Sequence, residues 1–91
     1  YPAEVESALR TVPGVMDVAV VGVPDPEWGE RIHAFVVTAP GAVLSPEQLI
    51  AVCRERLAGF KVPRGVSFVA EFPRNPSGKL LKRELRDAAP R

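Results

Sequence analysis

The sequence predicts a small α+β domain: a few-stranded, mainly antiparallel sheet, made of a central hairpin plus a further strand, packed against about three helices. Three observations lead there. Two adjacent runs rich in β-branched residues, 15–23 and 30–38, flank a cluster of turn formers, Pro24-Asp25-Pro26-Glu27-Trp28-Gly29. Amphipathic helical spacings precede, follow and end the chain. The 91 residues, 46% hydrophobic and 25% charged, suffice for one modest core, burying roughly 60–65% of the unfolded surface.

Residues 1–10 read as a helix with Pro2 in its first turn. Val5, Ala8, Leu9 and Val12 share one apolar face, and Pro13-Gly14 stops it. Val15 to Val23 is apolar at nearly every position, which predicts a central strand covered on both faces. Glu30 to Thr38 alternates and pairs back as a long-looped antiparallel hairpin. Ser45-Pro46-Glu47-Gln48 is the clearest helix start: Ser45 caps, Pro46 fits the first turn, Gln48 completes a capping box, and Leu44 can staple onto Leu49. Leu49, Val52, Cys53 and Leu57 form its core face, and Gly59 is placed as a left-handed cap. Val66 to Ala70 is a short strand with Val66, Phe68 and Ala70 on one side. A last helix runs from about Leu80, with Leu81, Leu85 and Ala88 inward.

Several function classes are disfavoured. The lone Cys53 cannot form an internal disulfide and suits a reducing, cytoplasmic setting. No apolar run of 18 residues and no leader pattern is present, so neither a membrane span nor a signal peptide is expected. Net charge is +1 but lopsided. Residues 1–53 carry two Arg against seven acids, and residues 54–91 carry ten Lys and Arg against four. A basic half on a near-neutral domain suits an anionic ligand or an acidic partner. Nucleic acid is disfavoured because the basic residues are not interleaved with stacking aromatics.

The stretch Pro73-Arg74-Asn75-Pro76-Ser77-Gly78-Lys79-Leu80 sets a lysine behind two prolines and a glycine. The prolines stiffen the approach, and Gly78 permits backbone conformations that a Cβ forbids. Lys79 is either a solvated charge or a working residue on a firm mount. A P-loop is excluded, since Pro73 stands where glycine is needed and Leu80 where a magnesium-binding Ser or Thr is needed.

Taken together, the motifs resemble the C-terminal domain of the adenylate-forming superfamily: acyl-CoA synthetases, adenylation domains of nonribosomal peptide synthetases, and luciferases. Four segments carry the resemblance: Tyr1 to Glu6, Gly22 to Glu30, Phe60-Lys61-Val62-Pro63, and Pro73 to Leu85. It implies one domain over residues 1–91, whose partner is a large N-terminal domain holding ATP and the acyl pocket, with magnesium held elsewhere and no metal held here. It implies a ligase that joins a carboxylate to ATP as acyl-adenylate and then passes the acyl group to coenzyme A, the domain being inactive alone. Lys79 matches the adenylation lysine. Trp28, Phe60 and Arg64 are expected along the coenzyme A path; packing against the sheet for Trp28 and a hydrophobic plug for Phe60 are the structural alternatives. His33 reads as structural. The Gly78-Lys79 loop also resembles the segment that protein lysine acetyltransferases modify, which marks Lys79 as an expected acetylation site. A carrier-protein acceptor and a non-catalytic docking domain are the competing functions.

Overall fold

The computed structural model describes residues 2–90; Tyr1, the proposed start of the first helix, lies outside them. Its order is α1 (Pro2–Arg10), β1 (Val15–Asp25), β2 (Gly29–Thr38), α2 (Pro46–Arg56), β3 (Gly65–Phe68) and α3 (Lys82–Ala88), with a 3-10 turn over Gly59–Lys61 before β3. The α+β class and this element order agree with the sequence reading.

The sheet order is β1-β2-β3, with β1 antiparallel and β3 parallel to β2. The middle strand is therefore β2, and β1, expected at the centre, lies at an edge. The predicted cover on both faces is nonetheless there, and it accounts for the nearly all-apolar run. Val18 and Val20 join Ala34, Val36 and Val66 beneath Val5 and Leu9 of α1 and Leu49 and Cys53 of α2. On the opposite face Ala19, Val21 and Val23 join Phe35 and Val37 against Phe72 and Leu85. A strand can be an edge for hydrogen bonding and still be interior for packing.

Side chains close that edge. Glu6 Oε2 accepts from the Val20 backbone N–H and from Lys82 Nζ, both at 2.9 Å, and Arg86 Nε donates to the Gly22 carbonyl at 2.9 Å. Helices on opposite faces thus meet over one strand.

The hairpin is short-looped rather than long-looped. β1 pairs as far as Asp25↔Gly29, leaving three residues in the turn. Asp25 Oδ1 accepts from the backbone N–H groups of Glu27 and Trp28, both at 2.9 Å, and Gly29 takes φ +79°. An Asx-type turn and a left-handed glycine together close a three-residue loop. At the other end Met16 is an extra residue, since Val15 faces Thr38 and Asp17 faces Val37.

The α2 capping box forms as expected: Gln48 N donates to Ser45 Oγ at 3.2 Å, and Ser45 N to Gln48 Oε1 at 2.7 Å. Its other end differs. The helix stops at Leu57 in an extended conformation, and Gly59 is not left-handed but opens the 3-10 turn. Ile50, with Leu57, packs beside Leu49 and Cys53. α3 begins at Lys82, two residues later than expected, so Lys79 stands on a loop before the helix. Leu85 is buried while Ala88 is exposed, and Ala89 packs in its place.

Candidate functional site

The loop that carries Lys79 is held from within. Arg74 and Leu80 form an antiparallel bridge. Across its base Asn75 N donates to Lys79 O at 3.0 Å and Gly78 N to Asn75 O at 2.9 Å, while Leu81 N reaches Pro73 O at 2.9 Å. The Asn75 carboxamide oxygen gathers three donors, the backbone N–H groups of Ser77 (3.1 Å) and Lys79 (2.9 Å) and the Ser77 hydroxyl (2.8 Å). Gly78 has φ +88°, and a Cβ there would meet nothing within 4 Å. The glycine is needed for its backbone conformation, not for space.

Arg74 anchors this loop to the sheet. Its Nη1 donates to Gly78 O at 3.1 Å and its Nη2 lies 3.4 Å from Asp17 Oδ2, just beyond the β1 bulge. Lys79 is exposed, and among the described residues no carboxylate or carbonyl pairs with its ammonium. The next lysine, Lys82, is tied to Glu6. In this stretch Lys79 is thus an unpaired cation on a stiff mount, while Arg74 and Lys82 are structural cations.

A second feature lies at the hairpin turn. Trp28, Phe60 and Arg64 come together around one groove of about 300 Å³, completed by Glu30, Arg31, Ile32, Gly59 and Val62. Trp28 and Phe60 are 65% and 67% exposed, so neither is the core residue its structural alternative required. The Arg64 guanidinium stands 5.8 Å from the Trp28 ring centroid, and Lys61 Nζ 5.6 Å from that of Phe60. Lys61 is also paired to Glu4 Oε2 at 2.7 Å, which holds the Glu4 carboxyl below its ordinary range. Hydrogen bonds from the Trp28 and Glu27 backbones likewise hold Asp25 low, helped by Arg31 and Arg64. The turn carboxylate thus stays charged and keeps the tryptophan loop folded.

Sequence reasoning missed three contributors. Asn75 and Arg74 shape the lysine loop, and Arg54 lines an adjoining hollow with Ile50, Gly59, Val62, Pro63 and Arg64, extending the groove along α2. Only the Asn-Pro-Ser-Gly turn chemistry could have flagged Asn75. Arg54 shares that hollow with Arg64, ten residues on in the chain, with no repeating pattern to link them.

The two features are far apart. The lysine loop is pinned at Asp17, whereas the groove is lined by Ile32, Arg31 and Glu30, which pair with Gly22, Val23 and Pro24, so it starts five residues along β1, or about 17 Å of strand. Among the described residues no group of His, Cys, Asp and Glu is placed to hold a metal ion, and no helix is long and apolar enough to cross a membrane.

Fold and site together define a small α+β module that presents a free lysine at one end of its hairpin and an aromatic, basic groove at the other. Residues 4–79 match the AMP-binding enzyme C-terminal domain, and the chain belongs to that family. It is 55% identical over 87 residues to a 3-[(3aS,4S,7aS)-7a-methyl-1,5-dioxo-octahydro-1H-inden-4-yl]propanoyl:CoA ligase of Rhodococcus jostii, covering 96% of this chain and 17% of that protein. Over the same shares it is 54% identical to the fatty acid–[acyl-carrier-protein] ligase ScoC of Streptomyces coeruleorubidus. Its fold superposes on ATP-bound MatB of Rhodopseudomonas palustris with TM-score 0.93 and 41% identity, covering 97% of this chain and 18% of that one. The chain spans under a fifth of the length of the relatives it matches.

Proposed function

We propose that this chain serves as the mobile C-terminal domain of an ATP-dependent acyl-CoA synthetase and supplies Lys79 to the adenylation step. The observation that carries this reading is the pairing of a free ammonium, on a loop locked by Asn75, with membership of the AMP-binding C-terminal family. A carboxylate attacking the α-phosphate of ATP brings two anions together. A cation held in a fixed place, and not already neutralised, lowers the cost of that approach. The residues present fit a phosphate-bearing substrate at Lys79, and they fit coenzyme A at the groove, where Trp28 and Phe60 offer aromatic walls and Arg64 a charge for a phosphate. Their placement towards opposite ends of the hairpin, about 17 Å or more of strand apart, supports a domain that turns between the steps and presents one site in each.

In the full-length enzyme, Lys79→Ala is expected to lower carboxylate-dependent ATP–pyrophosphate exchange by about 10² to 10³ while leaving acyl transfer from preformed acyl-adenylate to coenzyme A. Trp28→Ala and Phe60→Ala are expected to do the reverse, raising the KM for coenzyme A with exchange near normal. Equal loss of both half-reactions in every variant would overturn the two-site reading.

The similarity to ScoC supports a second acceptor, a carrier protein's phosphopantetheine, which lacks the nucleotide of coenzyme A. A comparison of coenzyme A with a phosphopantetheinylated carrier as acceptor separates the two. The exposure of Lys79 on a projecting loop also supports its reversible acetylation, which would remove the charge that adenylation uses.

A further inference from the structure

β3 lies on β2 with Gly65 opposite His33. His33 is 5% exposed and is the buried polar side chain of the core among the described residues. Its ring is held on two sides: Nε2 lies 2.8 Å from Ser67 Oγ, and the Phe35 ring meets it edge-on with centroids 5.0 Å apart. On the third side it faces Gly65. A Cβ on that glycine would stand 3.0 Å from both Nδ1 and Cε1 of the imidazole. Gly65 is not among the glycines with positive φ, so backbone conformation does not demand it. The ring does.

This contact sits where the groove loop joins the sheet. Arg64, the preceding residue, donates its N–H to Ile32 O at 2.8 Å, and Ile32 precedes His33. Ile32 and Arg64 both line the groove with Trp28. A ring displaced by an atom added on Gly65 would press on the start of β3, and so on the approach of Arg64 to the hairpin turn.

We propose that His33, keyed into the space left by Gly65, is a positioning residue for the acceptor groove: it fixes where β3 rests on β2 and so holds Arg64 opposite Trp28. The proposal rests on reading that groove as the thiol acceptor's path. Its chemistry is steric and hydrogen-bonded, and it names no proton transfer.

The test uses the full-length enzyme and three variants. Gly65→Ala forces the ring or the loop to move. Ser67→Ala releases the ring without adding an atom against it. His33→Ala combined with Gly65→Ala removes the obstructing ring. The readouts are ATP–pyrophosphate exchange, the KM for coenzyme A, and hydrogen exchange of the peptide covering residues 59–68. Gly65→Ala is expected to speed exchange at the Arg64 amide and to raise the KM by roughly three- to tenfold, with pyrophosphate exchange within about twofold of the parent. Ser67→Ala should act in the same direction and more weakly, and the double variant should recover part of the KM.

A Gly65→Ala enzyme with unchanged KM, while Trp28→Ala raises it, overturns the positioning role and leaves the acceptor reading standing. A double variant no better than Gly65→Ala shows that the ring is not what Gly65 accommodates. Parallel loss of both half-reactions in Gly65→Ala and Ser67→Ala reduces the pair to a folding element and also overturns the proposal. If neither Trp28→Ala nor Arg64→Ala alters the KM, the acceptor reading itself fails, and the positioning role falls with it.

Discussion

Asn75 is the residue on which the presentation of Lys79 turns. Replacing its carboxamide oxygen removes the acceptor for three donors in a loop too short to supply another. Asn75→Ala is expected to cost about 1–3 kcal/mol of local order and to lower adenylation without touching the ammonium itself, read as slower pyrophosphate exchange with faster hydrogen exchange over residues 74–80. His33 gives a pH signature. Burial, with Arg31 adding to it, holds its pKa below the ordinary 6.5, so the unfolded chain binds the proton more readily than the folded one. Stability is full above about pH 6.5 and falls as pH drops from there towards the lowered folded value, where a His33→Gln variant should titrate less steeply in thermal melts. At this scale residue type singled out Lys79, Gly78, Trp28, Phe60 and Arg64 but left the aromatics' burial open; the structure leaves Lys79, Trp28 and Phe60 exposed and brings Trp28, Phe60 and Arg64 around one groove. The ring of His33 against Gly65 was not readable, since it depends on a parallel register that brings together residues 32 positions apart.

Among the elements, α2 is the one whose start followed directly from sequence, because a capping box is local chemistry confined to four residues. Ser45→Ala removes one half of it and is expected to cost about 1 kcal/mol, lowering the melting temperature by roughly 4–8 °C. The other end of α2 went differently. Gly59 could serve as a left-handed cap, but the chain instead turns extended at Leu57, whose side chain packs on the core, and then tightens into the 3-10 turn that carries Phe60 to the groove. Tertiary packing outweighed the local preference. The hairpin shows the same ordering of causes. Six turn-forming residues suggested a long loop, yet the Asp25 carboxylate folds Glu27 and Trp28 back so tightly that pairing continues to Gly29.

Over the whole molecule, the uneven charge of the sequence has two uses. Glu4 pairs with Lys61, Glu6 with Lys82 and Asp17 with Arg74, each an acid from the first half meeting a base from the second. Part of the basic surplus thus fastens the two halves together, although exposed pairs of this kind contribute only about 0–1 kcal/mol each. Others remain outside these pairs, Arg54 and Arg64 along the groove and Lys79 on its loop. Composition suited an anionic ligand or an acidic partner but could not divide the charge between fastening and binding, because that division is set by which helices cross which strand. The closure of the β1 edge by Glu6, Lys82 and Arg86 has one more consequence. A version of this chain shortened past α1 would keep its valine-rich hairpin but leave the Val20 N–H at an open edge, where a second copy can add its own strand. Through Glu6, the first helix covers the strand edge at which a second copy could add.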